Sequence, residues 1–353
     1  VKYGQVDVLT SSYKDLKKFE TVKKINVHRV KILNRKSRDA ATFLSMLSYL
    51  PAAFFKGISL IRKNKYDVIN THFAVPSGPI GFLLGKLFKI PNVLSLHGGD
   101  IYDPSKKMSP HRNFIWKRVV KFILNRATAL VAQSTNTKEN TIKYYKPKKE
   151  ISIIPLPFHA PPVYKKQLNL GLNKGDFYCI TIGRLVKRKA IEVMIKAISK
   201  IKNDKIKLIV VGDGPEMSFL QNLTEELNIQ ERVLFPGFVS EQKKYQLLEK
   251  SKLFVSSSLH EGFGIVFMEA MHYGIPIVCT NHGGQVDFLK QKQNAILFNV
   301  GDVEACKKAI ESFFKDKALY KKCSKNNKIK VKDFSAEAVS YRYIELFKTL
   351  KKS

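Results

Sequence analysis

Leu253-Phe254-Val255-Ser256-Ser257-Ser258-Leu259-His260-Glu261-Gly262-Phe263-Gly264-Ile265-Val266-Phe267-Met268-Glu269-Ala270-Met271 reads as a buried strand that runs into a turn and then a helix. The opening apolar run is closed by serines, as a short strand covered on both faces requires. Gly262 and Gly264 open the turn, and a helix starts near Gly264. Such a helix offers free amides and the positive end of its dipole to an anion, here a diphosphate. Glu269 then lies about 7–8 Å deeper at 1.5 Å per residue, its side chain leaning back toward the helix start. A carboxylate there repels phosphate and suits a pair of ribose hydroxyls. Glu261, still in the loop, is left for the group on the other side of the phosphates. The stretch describes a nucleotide-sugar site at the carboxyl end of a strand, where doubly wound α/β sheets bind ligands.

The same alternation of short β-branched runs with longer helix-like stretches continues in both directions. After the middle of the chain the strand candidates are Tyr178 to Ile182, Leu208 to Val211, Val233 to Phe235, Leu253 to Ser256, Ile275 to Cys279 and Ala295 to Phe298, enough for a six-stranded sheet. Before it they are Val6 to Thr10, Val68 to Thr71, Val93 to Leu96, Leu130 to Ala132 and Ile151 to Ile154. Pro155, Pro157, Pro161 and Pro162 punctuate the junction. The expected organisation is an α/β chain of two Rossmann-like domains facing across a cleft. It assigns 1–160 to an N-terminal domain binding the acceptor, 161–173 to a linker and 174–333 to a C-terminal domain binding the donor. A serine-capped final helix over 334–353 returns toward the first domain.

Two further motifs follow strands. After Tyr178 to Ile182 come Gly183 and Arg184, then Lys187-Arg188-Lys189; Gly183 permits a tight turn, and Arg184 and Lys189 can hold an anion by fork and by point charge. After Val93 to Leu96 comes His97-Gly98-Gly99-Asp100. Gly283-Gly284 and Gly78 read as further turns lining the cleft. Blander readings stand beside these: a packed histidine at a strand end for His97, a helix cap for Asp100, a solvated basic loop for Arg184 to Lys189. His72, Tyr102 and His111 have no assignment.

Composition bounds the partners. The 353 residues carry 62 basic against 29 acidic side chains, net +33, and 44% are apolar, too many for a disordered chain. Residues 1–165 hold 30 basic and 9 acidic residues, net +21, and the remainder 32 and 20, net +12. Lysines number 51 and arginines 11, a skew that by itself reads as biased nucleotide composition. No nucleic-acid module interleaves basic with aromatic residues, so nucleic acid is set aside, and an anionic membrane surface fits the first half better. Cys179, Cys279, Cys306 and Cys323 lack ligand or disulfide spacing. No signal peptide is visible. The apolar runs Val68 to Gly85 and Ala40 to Phe55 fall short of the roughly 20 residues of a spanning helix; a helix covering a sheet, or one lying in an interface, is expected from Ala40.

The Glu-Gly-Phe-Gly segment with Glu269 eight positions after Glu261, the Gly183 to Lys189 segment, the His97 to Asp100 segment and the capped final helix together resemble the retaining glycosyltransferases of family four, which have the GT-B fold. The resemblance runs from about Gln5 to the end. It implies that Arg184 and Lys189 bind the donor pyrophosphate, with Gly183, Gly262, Phe263, Gly264, Ile265, Gly283 and Gly284 around it. It further implies that Glu261 contacts the sugar, that Glu269 binds ribose, and that His97 lies beside the transferred sugar, making His97, Arg184, Lys189 and Glu261 the catalytic set. Asp100, Gly98 and Gly78 fall to the acceptor side. Transfer is then a hexosyl transfer by front-side displacement, in which the departing phosphate takes the acceptor's proton. The expected donor is a nucleotide-diphosphate sugar, with no cofactor and no metal. The expected acceptor is a glycan or lipid-linked chain in surface polysaccharide synthesis, at the cytoplasmic face of a membrane.

Three positions depart from the family's pattern. Ala190 stands where glycine is usual, Leu156-Pro157-Phe158-His159 where Asn-Gly-Val-Asp is common, and a first strand with a glycine-rich loop has no counterpart ahead of Gln5. Since the chain opens at Val1 without methionine, roughly 25–35 residues, about one strand and crossover, are expected to precede it. The alternatives are a nucleotide-sugar epimerase of the same fold, a catalytically inactive basic binding fragment, and a NAD-dependent enzyme; the last is disfavoured because Met217 replaces the third glycine after Gly212 and Gly214.

Overall fold

The computed structural model describes residues 4–35, 42–104 and 109–351. Val1–Tyr3, Lys352, Ser353 and the start of the apolar run at Ala40 and Ala41 lie outside the described residues. The chain divides into two compact units, one made of Val1–Gln133, Thr137–Ile154 and Tyr341–Ser353, the other of Ser134–Asn136 and Pro155–Ser340.

The first unit runs β1 (Asp7–Ser11), β2 (Phe19–Val22), β3 (Ile25–Val30), α1 (Phe43–Lys63), β4 (Ile69–His72), α2 (Ser77–Phe88), β5 (Asn92–Leu96), α3 (Phe114–Arg126), β6 (Ala129–Ala132), α4 (Thr135–Tyr145) and β7 (Ile151–Ile153). Strands β4-β5-β6-β7 form one parallel sheet in that order, and β1-β3-β2 form a second. The hairpin β2–β3 is absent from the sequence reading. Its two-residue turn is Lys23-Lys24, both left-handed with φ 49° and 66°. Such a turn normally declares itself by Asn-Gly or Asp-Gly, and two lysines give no such signal.

Helix α1 is capped by the Thr42 side chain, which accepts from the Ser45 amide at 3.2 Å, and it continues through Pro51 to Lys63. The missing proline N–H leaves the Leu47 carbonyl without its helical donor, yet the helix runs on past Phe55, where the apolar run was expected to end. By length and composition α1 is long and apolar enough to cross a membrane. Its buried residues include Ala53, Gly57 and Leu60, packed with Ile80 and Leu84 of α2 and Val30 of β3.

The second unit runs β8 (Phe177–Ile182), α5 (Ile191–Ser199), β9 (Ile206–Val211), α6 (Met217–Glu226), β10 (Val233–Gly237), α7 (Glu241–Lys250), β11 (Leu253–Ser256), α8 (Ile265–His272), β12 (Ile277–Thr280), β13 (Ala295–Phe298), α9 (Val303–Lys315), α10 (Lys317–Lys330) and α11 (Ala336–Lys351), the last shared with the first unit. All six strands are parallel in the order β10-β9-β8-β11-β12-β13. The order reverses between β8 and β11, so the loops after these two strands flank the crevice where such a sheet takes its ligand. Residues 161–173 run along this unit, where the Leu168 amide donates to Gln246 Oε1 at 2.9 Å and Gln246 Nε2 to the Lys166 carbonyl at 2.7 Å. In the first unit Tyr343 of α11 meets Ser95 of β5 at 3.1 Å between hydroxyls. The four cysteines are free and buried, all in the second unit, and burial pushes each thiol up, Cys306 to about 12 and Cys323 to about 11.

Candidate active site

Two glycines let the β8 loop close on its neighbour. Gly212 has φ 132°, and a Cβ on it would stand 1.9 Å from the Gly183 carbonyl oxygen. The chain then turns through Lys187–Lys189 as one turn of 3-10 helix and enters α5 at Ala190, which is left-handed with φ 45°. For an alanine that conformation costs about 1–2 kcal/mol, and burial of its methyl returns about 0.8 kcal/mol. The loss of the family's usual glycine is therefore mild.

The β8 and β11 loops are stitched together. The Ser257 hydroxyl donates to the Ala190 carbonyl at 2.7 Å, the Leu259 amide to the Arg188 carbonyl at 2.9 Å, and Arg188 Nη1 to the His260 carbonyl at 2.6 Å. The β12 loop joins them, for the Gly284 amide donates to the Glu261 carbonyl at 2.7 Å and Thr280 Oγ1 to the Ser258 carbonyl at 2.8 Å. Gly283, at φ 121°, makes this approach possible.

Glu261 is held at the centre of these loops, buried to 6% exposure. Lys189 Nζ pairs with its Oε1, Arg188 Nη1 stands 3.4 Å from Oε2, and the Ser258 hydroxyl donates to Oε1 at 2.9 Å. Burial alone would push this carboxyl up; the two cations and the hydroxyl outweigh it and hold it below the usual carboxylate range. Arg184 and Lys187 are both exposed and have no ion pair among the described residues, so two of the four cations in this loop are not engaged by Glu261.

Gly264, at φ 87°, begins α8. The Phe263 side chain is core, 5.2 Å from Phe288 and 5.9 Å from Phe334 between ring centres. Ile265 is exposed. Glu269 is buried on α8, where its Oε1 accepts from Lys244 Nζ at 2.7 Å and from the Tyr245 hydroxyl at 3.1 Å. Burial lowers Lys244, but the carboxylate outweighs it and the ammonium is held above its ordinary range. The two glutamates thus have separate cationic partners.

Sequence reasoning missed Arg188, Ser258, Lys244 and Tyr245. Arg188 lay in plain view among four basic residues of one loop, and a turn of 3-10 helix decides which of them point inward. Lys244 and Tyr245 come from α7, a mostly polar helix whose sequence shows no sign of a buried carboxylate partner.

His97, Gly98, Asp100 and Gly78 belong to the first unit. His97 Nε2 lies 2.9 Å from His72 Nδ1, and the Phe73 ring stacks on His97 at 4.3 Å between centres. Gly98 makes the turn at φ 85°. Asp100 caps no helix; buried, it accepts the Ala74 amide at 2.7 Å and the His97 amide at 2.9 Å, clasping the loops after β4 and β5. Gly78 corrects an expectation, because it is the second residue of α2 and not a turn. A Cβ there would stand 2.7 Å from Ile123 Cγ2, so its small size serves the approach of α2 to α3.

Burial, then the neighbouring His72, lower His97 to about 4, while burial raises Asp100 to about 6 against its amide donors. Between pH 4 and 6.5 the unfolded chain protonates His97 and the folded chain does not, so this histidine makes stability rise with pH across that window. Asp100 has the opposite slope from about 4 to 6. His97→Gln is therefore expected to lose, relative to the unsubstituted chain, a rise of about 3 kcal/mol between pH 4 and 6.5, measured by urea unfolding at several pH values. Parallel curves for the two proteins would show that His97 titrates as it does in water.

Comparison with known proteins supplies the rest. The family model described as "Glycosyl transferases group 1" matches residues 165–330, and that described as "Glycosyltransferase Family 4" matches residues 3–159. The UDP-Gal:alpha-D-GlcNAc-diphosphoundecaprenol alpha-1,3-galactosyltransferase of Escherichia coli is 29% identical over 274 residues, 74% of this chain and 69% of that protein. Among solved structures, sucrose-phosphate synthase of Thermosynechococcus elongatus superposes with a TM-score of 0.82 at 22% identity, over 98% of this chain and 89% of that one. HepE of Anabaena in complex with UDP gives 0.75 at 18% identity, over 98% and 100%. The two family models take up both halves of the chain and the structural likeness spans nearly all of it, so the chain belongs to the family-four glycosyltransferases and has the GT-B fold, built of two Rossmann-like α/β units.

Proposed function

We propose that this glycosyltransferase moves a hexosyl group, with retention and without a metal, from a nucleotide-diphosphate sugar to a glycan or lipid-linked acceptor in surface polysaccharide synthesis. The observation that carries the reading is the state of Glu261, a buried carboxylate kept charged by Lys189 and Arg188 while Arg184 of the same loop stays unpaired among the described residues. In this reading the diphosphate lies against the backbone amides at Phe263 to Ile265. Arg184 and Lys189 stabilise the charge that develops as the sugar–phosphate bond breaks. Glu261 faces the sugar, Glu269 takes the ribose hydroxyls with Lys244 and Tyr245 holding one of its oxygens, and the departing phosphate accepts the acceptor's proton. His97, neutral above about pH 4, offers the sugar a hydrogen-bond partner and not a charge. Support for a UDP-sugar and a lipid-diphosphate acceptor comes from the Escherichia coli relative, whose name specifies both, and from the UDP held by the Anabaena structure. The working place in this reading is the cytoplasmic face of an anionic membrane.

A thermal-shift titration with UDP, GDP, ADP and their sugar conjugates tests the donor site without an acceptor. Ligand at about 100 times its dissociation constant adds roughly 2.7 kcal/mol, and Glu269→Ala is expected to remove that gain for one nucleotide class. Cooperative melting with no shift for any nucleotide would overturn the reading in favour of an inactive binding protein. Product analysis that found an isomerised donor in place of transfer would favour the epimerase.

A further inference from the structure

Asn70, His72, Ser95 and His97 meet at the carboxyl ends of two neighbouring strands of the first unit. Asn70 and His72 are two apart on β4 and so share a face of the sheet. Ser95 lies on β5 in register with His72, and His97 follows it by two positions. Hydrogen bonds join these side chains in a row that ends on α11. The Tyr343 hydroxyl lies 3.1 Å from Ser95 Oγ, Ser95 Oγ donates to Asn70 Oδ1 at 3.0 Å, Asn70 Nδ2 lies 3.3 Å from His72 Nε2, and His72 Nδ1 lies 2.9 Å from His97 Nε2.

The row has one direction. Ser95 has a single hydroxyl proton and gives it to Asn70, so Tyr343 donates to Ser95. Asn70 Nδ2 has only protons to offer, so His72 Nε2 accepts. A neutral His72 then carries its proton on Nδ1 and donates it to His97 Nε2. With Nε2 accepting, a neutral His97 keeps its own proton on Nδ1. In the opposite direction Tyr343 would accept from Ser95, and its half-buried hydroxyl proton would have no acceptor among the described residues.

The rest of His97 is pinned. Its amide donates to Asp100 Oδ1 at 2.9 Å, its carbonyl accepts from Gln133 Nε2 at 2.6 Å, and the Phe73 ring stacks on it. Phe73 holds that place from the left-handed region, at φ 74°, which a bulky side chain rarely adopts. Strain of this kind gathers at functional sites. Nδ1 is the polar atom of His97 that has no partner among the described residues.

We propose that His72 is a positioning residue, which holds the His97 ring in the tautomer protonated on Nδ1 so that His97 meets the transferred sugar as a hydrogen-bond donor from that nitrogen. The proposal rests on the proposed function for the sugar, and on the row from Tyr343 to His97 for the tautomer. A sugar oxygen, and not a sugar hydroxyl proton, then faces the ring.

The test reads the two ring nitrogens of His97 by long-range proton–nitrogen NMR on the full chain labelled with nitrogen-15 at histidine. It is run at about pH 8, above the ordinary imidazole range, and His97→Gln identifies the His97 signals by their loss. The unsubstituted chain is expected to carry the His97 proton on Nδ1. In water a neutral histidine favours Nε2, so His72→Phe, which removes the donor, is expected to move the proton to Nε2 and to lower kcat about tenfold. His72→Asn places an amide where the imidazole Nδ1 stood and is expected to keep the Nδ1 proton and to recover kcat to within about threefold. His72 is exposed, so an unchanged urea midpoint certifies the fold of both variants. A His97 proton on Nε2 in the unsubstituted chain, a proton left on Nδ1 by His72→Phe, or an unchanged kcat in that variant would each overturn the proposal. The tautomers are read without donor or acceptor, so a chain that shows the expected shift of the proton and transfers no sugar overturns the proposed function and not the pairing of the rings.

Discussion

Lys189→Met is expected to lower the unfolding free energy by about 3 kcal/mol, the range in which one partner of a buried ion pair is removed, and to abolish transfer. Glu261 has no water to retreat to; without Lys189 it keeps only Arg188 at 3.4 Å and the Ser258 hydroxyl at 2.9 Å. The cost arises from the stranded charge and not from the lysine's own packing, so a second substitution should reverse it. Lys189→Met/Glu261→Gln is expected to recover at least half of the lost stability in urea unfolding and none of the activity, since the proposed donor contacts of both residues are gone. If the two substitutions simply add, the residues are not coupled and Glu261 is ionised for some other reason.

Gly284→Ala is expected to be comparably severe by a different route. Its Cβ would stand 2.0 Å from the Gly262 carbonyl oxygen and 2.7 Å from the carbonyl carbon, and its amide donates to the Glu261 carbonyl. The obstacle is backbone, which has no rotamer to escape into, so the loop carrying Glu261 must shift bodily. Overpacking of this kind costs about 1–3 kcal/mol, and we expect the upper end together with loss of the nucleotide-induced rise in melting temperature. Gly301→Ala is the control, because that residue has φ 80° and open space around it, so it meets strain without collision. Equal melting temperatures for the two variants would refute the steric account.

What the sequence revealed follows from how each element is buried. The inner strands of the second unit are covered on both faces and read as apolar runs, such as Leu208–Val211 of β9, and all six strands were visible with their boundaries within about two residues. The β2–β3 hairpin was not, because Lys23-Lys24 occupies a turn that usually advertises itself with glycine or asparagine. Glu261 and Glu269 were legible from their spacing around a helix start. Their cationic partners were not, since Lys244 is 25 residues from Glu269 in sequence and meets it only because its side chain reaches from α7 to the carboxylate on α8. Gly78 misled because a glycine that lets two helices touch looks, in one dimension, like a glycine in a turn.

The placement of the cysteines gives the molecule a built-in division of signals. All four thiols lie in the second unit, shielded from reagents at neutral pH, while the lone tryptophan lies in the first. Pulsed thiol labelling therefore counts openings of the second unit, and tryptophan emission follows the first, in the same unmodified polypeptide. During denaturation the two traces coincide if the halves melt as one cooperative block and separate if either yields first.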